Sequence, residues 1–525
     1  MRHTAANNFY AQTMSSEAAN GRRRVRKPLF EYPSLPEFPI YFLITLGALI
    51  YAWYCVYNAS TKWTFRLGYP ASISYLPIVG ERYRDEFDWE WNRWAPLALS
   101  AFPFMILNSL VFNVTAQYFS ERVWMISTII VSMITSSVLF TPKLLIISLI
   151  QGTFVFFITH RFKKVWVVWM SSMPILYFVM HHTMTLSPDP FLVLLFVSYT
   201  LLSYVSFNID QVKGFCRPED KTFFDLYIRM LFYTFYNPYL VSLIVLYRDF
   251  EVQIRDRPKI QRDWKEILIF GVRLIFWISV IELMLRFFYF GAILSDANFA
   301  ARLPKNEFVV LGMAIGNFFH LKYVIIFGIP SLFAKIDRMQ PKDGPICIAR
   351  VAMISKIWRG FDRGLYDFFK QYIFVPICAP TFTLPRKIFG VLVSYSFVLL
   401  WHGFQHHNIV WIVLNIIELF IEFSAKALYT VPFVKSWRES HLSDQNFRRI
   451  LGIFQIVPYA FGLYSNFYFL GGSKVGWLFV ERIFWEETVP VRWPFLLLIF
   501  CGYNYMHVTM EAEKWLTRKR NLKVE

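Results

Sequence analysis

Charge is what this chain has least of. Asp, Glu, Lys and Arg make up 17% of its 525 residues, against 56% hydrophobic and 20% aromatic. Soluble domains carry about 25% charged residues, so the composition points to one body embedded in a membrane. The five cysteines (Cys55, Cys216, Cys347, Cys378 and Cys501) have no CxxC or CxxH spacing, which argues against a disulfide framework or a zinc site. The chain also lacks a glycine-rich phosphate loop, an internal repeat and a low-complexity segment, and with them any sign of nucleoside-triphosphate chemistry.

The net charge is +18. Its basic residues lie in short polar segments between apolar runs, which fits positive-inside topology better than nucleic-acid binding. Membrane lipids with anionic headgroups, or an anionic cofactor, are the partners such charge favours. Three parts follow: a polar basic tail over 1–37 with Arg22, Arg23, Arg24, Arg26 and Lys27, a multi-pass membrane domain over 38–510, and a basic tail over 511–525 with Arg518, Lys519, Arg520 and Lys523. Both tails are expected in the cytosol, and the long polar lead before the first apolar run is unlike a cleaved signal peptide. Asn58-Ala59-Ser60, just after that run, is then luminal.

Apolar runs recur at 38–57, 95–119, 123–142, 144–159, 165–188, 191–209, 267–294, 308–334, 407–423, 450–470 and 493–508. Most are long enough to span, so the expected fold is an all-α polytopic transmembrane bundle of about 10–12 spans. Asn237-Pro238 interrupts 230–247 and predicts a kinked or re-entrant helix. Pro341, Pro345, Pro376, Pro380 and Pro385 break 335–387 into aromatic-rich pieces that read as interfacial or re-entrant helices around a central reaction chamber. The mixed charges of Glu251 to Glu266 read as a solvated loop or as a landing patch for coenzyme A phosphates. Glu282 and Arg286, four residues apart, read as an intrahelical pair.

The centre of the chain is Val391 to Glu418. No Asp, Glu, Lys or Arg occurs from Ile388 to Ile417, and His402 sits in the middle of that run. An ionisable group at membrane depth is read by default as lining a cavity or a reaction site, the plain alternative being a histidine satisfied by a neighbouring helix. "SYSFVLLWHGF" (Ser394 to Phe404) and "WRGFDRGLYDFFKQYIFVPI" (Trp358 to Ile377) resemble the membrane-bound O-acyltransferase family. "FFHLKYVIIFGIP" (Phe318 to Pro330) and "SNFYFLGGSKVG" (Ser465 to Gly476) are similar to its hedgehog acyltransferase branch.

The resemblance implies an acyltransferase of the endoplasmic reticulum or Golgi membrane. It would move a palmitoyl group from palmitoyl-CoA to the N-terminal cysteine amine of a secreted hedgehog-type protein. His402 is then catalytic, as general base, and Asp362, 40 residues upstream, assists it. Trp358 controls the donor's path, Asn466 lines the chamber, and Cys347 is the thiolate ligand of a heme. Each has a plainer alternative: Asp362 pairing with Arg359 or Arg363, Trp358 as an interfacial aromatic, Asn466 as a helix–helix hydrogen bond. Lys322 either approaches the acyl-CoA or snorkels to an interface. Phe404, Gln405, His406 and His407 depart from the branch's pattern after Trp-His-Gly, which leaves the acceptor open. Two other readings stand beside the first: an acyltransferase for a lipid or another protein, and a non-catalytic acyl-CoA-binding or transport protein.

Overall fold

The computed structural model describes residues 30–63, 71–77, 79–215, 222–351, 353–486 and 493–521, so Arg22 to Lys27, Cys216 and Lys523 lie outside the described residues. The order begins with α1 (Phe38–Lys62), a hairpin of β1 (Ala71–Leu76) and β2 (Gly80–Asp85), α2 (Trp89–Tyr118), α3 (Glu121–Phe140), α4 (Pro142–Phe162), α5 (Val165–His181) and α6 (Pro190–Val212). It continues through α7 (Phe223–Thr234), α8 (Tyr247–Asp256), α9 (Trp264–Phe287), α10 (Phe290–Ser295), α11 (Lys305–Ile336), α12 (Ile354–Gly360) and α13 (Arg363–Phe369). Then come α14 (Leu384–His402), α15 (His406–Thr430), α16 (Pro432–His441), α17 (Asp444–Val480) and α18 (Trp493–Asn521). Among the described residues ten helices are long and apolar enough to cross a membrane: α1, α2, α3, α4, α6, α9, α11, α14, α15, and α17 with its continuation to Trp485. The fold is a polytopic helical membrane bundle.

Local chemistry sets many helix ends. Pro39, Pro142 and Pro190 occupy first turns, where a missing N–H leaves no bond unmade. Asp88 accepts the amide of Trp91 at 2.7 Å and starts α2.

The interior is apolar, but so is much of the surface. Leu268, Ile269, Ile275 and Phe276 of α9 are exposed, as a lipid-facing surface requires. Ser132, Ser136 and Ser148 are wholly buried. Ser148 donates to Thr200 Oγ1 at 2.9 Å and Gln151 to the Val197 carbonyl at 2.8 Å, joining α4 to α6. With hydrocarbon outside, small polar residues at the seams supply close packing and hydrogen bonds.

Several expectations need correction. The uncharged run 388–417 is not one span: α14 ends at His402, Gly403 takes φ +87, and α15 begins at His406. A residue other than glycine would be strained at that angle, so His402 stands at the end of a helix, not in its middle. The run 267–294 divides into α9 and α10. The strands were not foreseen, and Asp85 at the end of β2 pins the hairpin to α10 by accepting the amides of Gly291 (2.7 Å) and Ala292 (3.1 Å). The Glu282–Arg286 pair is present, with Arg84 added as a second guanidinium on Glu282. The Asn58 amide is bonded to Glu307, so this asparagine is held inside the fold.

The first and last described segments are part of the body. Lys514 Nζ donates to Ser34 Oγ at 3.0 Å, Arg449 to Glu37 at 2.6 Å, and the fully buried Arg448 to the Pro33 carbonyl and to Glu511. The segment 30–37 therefore straps α17 and α18, and α18 runs on through residues set apart above as a tail.

The basic loop after α8 also has structural work. The Asp337 carboxylate, wholly buried at the end of α11, accepts from Ser109, from Asn113 (2.7 Å) and from Tyr236 (2.8 Å). Arg257 and Arg262 both donate to Asn113 Oδ1, at 2.7 and 2.6 Å, and also to the carbonyls of Asp337 (2.9 Å) and Ile336 (2.7 Å). Two arginines of the suggested coenzyme A patch are thus engaged in closing α2 against α11. Asp337→Ala would strand the buried donors of Ser109, Asn113 and Tyr236 and should cost about 1–3 kcal/mol for each donor left unsatisfied; a clear drop in the melting temperature of the purified protein checks it.

Candidate active site

His402 lies where α14, α15 and α17 meet. Its side chain is exposed, yet its ring is wedged edge-on against Trp411 of α15, at 5.2 Å between centroids, and Phe469 of α17, at 5.3 Å. Those two stack on each other at 4.2 Å. Apolar contacts therefore set the plane of the imidazole. Among the described residues no hydrogen bond is made to its nitrogens, so both are left to whatever enters. Asn408, buried in the first turn of α15, donates to the carbonyls of His402 (2.8 Å) and Gly403 (3.1 Å) and closes the turn that presents the ring.

Trp358 reaches the same place from α12. Its indole Nε1 donates to Asn415 Oδ1 at 3.0 Å, its ring stacks over Trp411 at 5.8 Å, and Tyr395 of α14 meets it edge-on at 4.9 Å. Asn415 in turn donates to the Trp411 carbonyl. Below, buried Glu422 accepts the amide of Ser355 at 3.0 Å and also its hydroxyl, so α12 is fastened to α15 at two levels. Trp358 and His402 thereby share one aromatic support.

Asp362 stands at the α12–α13 junction. Its Oδ1 accepts the Leu365 amide at 2.8 Å and caps α13. The arginines suggested as its partners go elsewhere: Arg359 donates to the Ser355 carbonyl and Arg363 approaches Asp343 at 3.8 Å. Burial pushes the Asp362 carboxyl up to about 6, opposed by the Leu365 amide and the charge of Lys342. A Cβ on Gly364 would lie 2.1 Å from the Ile244 carbonyl oxygen, so only glycine allows the junction to sit this close. Among the described residues Asp362 and His402 make no hydrogen bond to each other. Aromatic rings join them: Phe361 stacks on Phe319 at 5.2 Å, and Phe319 meets Phe469 at 5.9 Å.

Asn466 is half-buried on α17, one turn before Phe469 and so on the same face of the helix. Lys322 follows neither of its suggested courses. It is buried, bonded to Asp88 at 2.7 Å and Glu90 at 2.8 Å, with Tyr323 donating to Glu90 at 3.0 Å. His406 bonds Ser473 Oγ at 3.0 Å and serves the turn. Cys347 is half-buried just before a 3₁₀ turn (Ile348–Arg350), away from the His402 ring contacts. Sequence reading missed Asn408 and Asn415. Their signal is the spacing of seven residues that places both, with Trp411, Glu418 and Glu422, on one face of an otherwise apolar helix.

The structure is that of a polytopic membrane bundle in which, among the described residues, an imidazole without a hydrogen-bond partner stands at a helix end between aromatic walls. The chain belongs to the membrane-bound O-acyltransferase family, which it matches over residues 149–466, and it is an acyltransferase. It is similar to protein-cysteine N-palmitoyltransferase HHAT of Mus musculus, with 24% identity over 90% of this chain and 97% of that one. It is also similar to protein-cysteine N-palmitoyltransferase Rasp of Drosophila melanogaster, with 25% identity over 60% of this chain and 61% of that one. A membrane-bound O-acyltransferase of Millerozyma farinosa shares 22% identity over 58% of this chain and 59% of its own length. The family uses an acyl-CoA donor.

If Asn408 sets the pose of the ring, Asn408→Ala should lower turnover by about 10- to 100-fold while leaving acyl-CoA affinity unchanged, since a displaced catalytic group costs up to about 10²-fold. Parallel turnover and donor-binding measurements on one preparation check this.

Proposed function

We propose that this enzyme transfers a palmitoyl group from palmitoyl-CoA to the N-terminal cysteine amine of a secreted hedgehog-type protein. The observation that carries the reading is the similarity to a protein-cysteine N-palmitoyltransferase along nearly the whole of both chains. His402 acts as general base, and what supports it is an exposed ring whose nitrogens have no protein partner among the described residues. It takes a proton from the acceptor ammonium, the freed amine attacks the thioester carbonyl, the carbon–sulfur bond breaks, the imidazolium passes its proton to the leaving thiolate, and the remaining proton on the new amide nitrogen is released to solvent. An amide and free coenzyme A result. His402 ends α14, where the helix's carbonyl pole favours the positive charge the ring gains.

Asp362 holds the incoming ammonium rather than the ring. The reason is that among the described residues it makes no bond to His402, while the backbone cap at Leu365 uses its Oδ1. Trp358 guards the donor's path from its position over Trp411, and Asn466 lines the chamber beside Phe469. The second reading, a lipid acceptor, draws on the fungal relative, whose name specifies no protein substrate.

Residence in the endoplasmic reticulum membrane with both termini cytosolic belongs to the same proposal. The Ser34–Lys514 bond supports it by joining the segment before α1 to the later turns of α18.

Heme at Cys347 is the remaining part. The donor set fits: a half-buried thiol able to ligate iron as thiolate, with Arg350 three residues on, whose Nε has no partner among the described residues, to meet a porphyrin carboxylate. Purified protein should show a Soret band that Cys347→Ala loses or shifts, as absorbance spectra will tell.

His402→Ala should lower turnover by about 10² to 10⁴ without unfolding and with palmitoyl-CoA binding intact. Asp362→Asn should raise the KM for a cysteine-amine peptide more than it lowers kcat. Near-normal turnover of well-folded His402→Ala would turn the reading toward a non-catalytic acyl-CoA-binding or transport protein.

A further inference from the structure

One buried ionisable group takes no part in the chemistry above. Glu418 of α15 is 2% exposed, and among the described residues its Oε2 has no hydrogen-bond partner. Across the seam stands Gly462 of α17, where a Cβ would lie 3.4 and 3.6 Å from the two carboxyl oxygens. The groups acting on the carboxyl electrostatically are Glu422 and Tyr395, neither of them basic. Lys426, two turns further along α15, is paired with Glu422. A buried acceptor left unmade costs free energy that a purely structural position has no reason to bear, and an ionisable group inside the membrane is by default functional.

Its place on the helix says what it could hold. The face of α15 that carries Trp411, against which the His402 ring rests, continues through Asn415 to Glu418. Seven residues of helix separate Trp411 from Glu418, about 10 Å. The same face goes on to Glu422 and Lys426, with Arg359 of α12 alongside Ser355 at that end. An acyl-CoA whose thioester lies at His402 must send its pantetheine arm away from the ring. The arm's distal amide nitrogen is seven bonds from the sulfur, roughly 8 Å when extended. The acceptor amine has to be at His402 itself, and an acyl chain has no polar group to offer a carboxyl. A carboxyl accepts an amide N–H in either protonation state, and when neutral it also donates to the amide carbonyl.

We propose that Glu418 binds the pantetheine arm of the acyl donor by accepting the N–H of its distal amide. This rests on the reading that the reaction at His402 draws on acyl-CoA. Gly462 keeps the approach clear, and the basic groups beyond Glu422 face the diphosphate.

The test is equilibrium binding of radiolabelled palmitoyl-CoA to the purified full chain, competed with S-palmitoyl-pantetheine or with S-palmitoyl-N-acetylcysteamine, which keeps only the proximal amide. Glu418→Leu should weaken palmitoyl-CoA and palmitoyl-pantetheine about 10- to 100-fold, the worth of one charge-assisted hydrogen bond, and leave the N-acetylcysteamine thioester unchanged. Glu418→Gln, which retains an acceptor oxygen, should recover most of the affinity. Gly462→Ala should weaken the two longer donors alone, and carries the test should Glu418→Leu fail to fold. Equal weakening of all three ligands, or of none, in a monodisperse variant with unchanged melting temperature overturns the assignment. Wild-type protein that binds no palmitoyl thioester overturns the donor reading itself, a result distinct from the first.

Discussion

Two hydrogen bonds from one asparagine organise the centre of this protein. Asn408 takes the carbonyls of His402 and Gly403, groups that the end of a helix would otherwise leave without a partner in the fold. The next helix supplies the donor at the point where α14 stops. Once it stops, the glycine turn swings the chain back as α15, and the histidine is left at a tip, facing the space between three helices. The same tip carries the helix's carbonyl pole, which favours a positive charge on the ring.

Everything else near the site hangs on α15. Asn415 fixes Trp358, Glu422 fixes the start of α12, and α12 leads directly to Asp362. The two residues that sequence resemblance pairs, 40 positions apart, are therefore placed by one helix face and by a run of rings, Phe361, Phe319 and Phe469, rather than by contact with each other. This separates their roles physically: the aromatic wall holds the imidazole, and the carboxyl is held by backbone.

The sequence made the spans legible because hydrocarbon imposes a length and forbids charge, and α3 and α4 start and end within a few residues of where composition sets them. It made Asn237-Pro238 legible as a break for the same reason, the loss of a backbone donor. The interruption after His402 was harder, since Gly403 lies in a run with no charge to mark it and only its positive φ reveals the turn. The hairpin was hidden because Asp85 and the α10 amides that hold it are about two hundred residues apart. Lys322 misled for a related reason: its partners Asp88 and Glu90 look like the capping residues of another helix, which Asp88 also is.

A protein that must bring together an anionic nucleotide thioester and a polar acceptor inside lipid cannot use a uniformly apolar interior. The bundle answers with a narrow polar line on α15, from Asn408 through Asn415 and Glu418 to Glu422, set among rings that keep water out. Asn415 is held on both its oxygen and its nitrogen as indole anchor, Glu422 on both oxygens as clasp, and Asn408 donates to two carbonyls as cap, whereas Glu418 Oε2 has no partner among the described residues. In a low-dielectric interior a fully satisfied network rigidifies, while an unsatisfied member is costly. A rigid line with a single open position is the arrangement expected when the missing partner arrives with the substrate, because the free energy withheld in the resting fold becomes available only when the donor is in place.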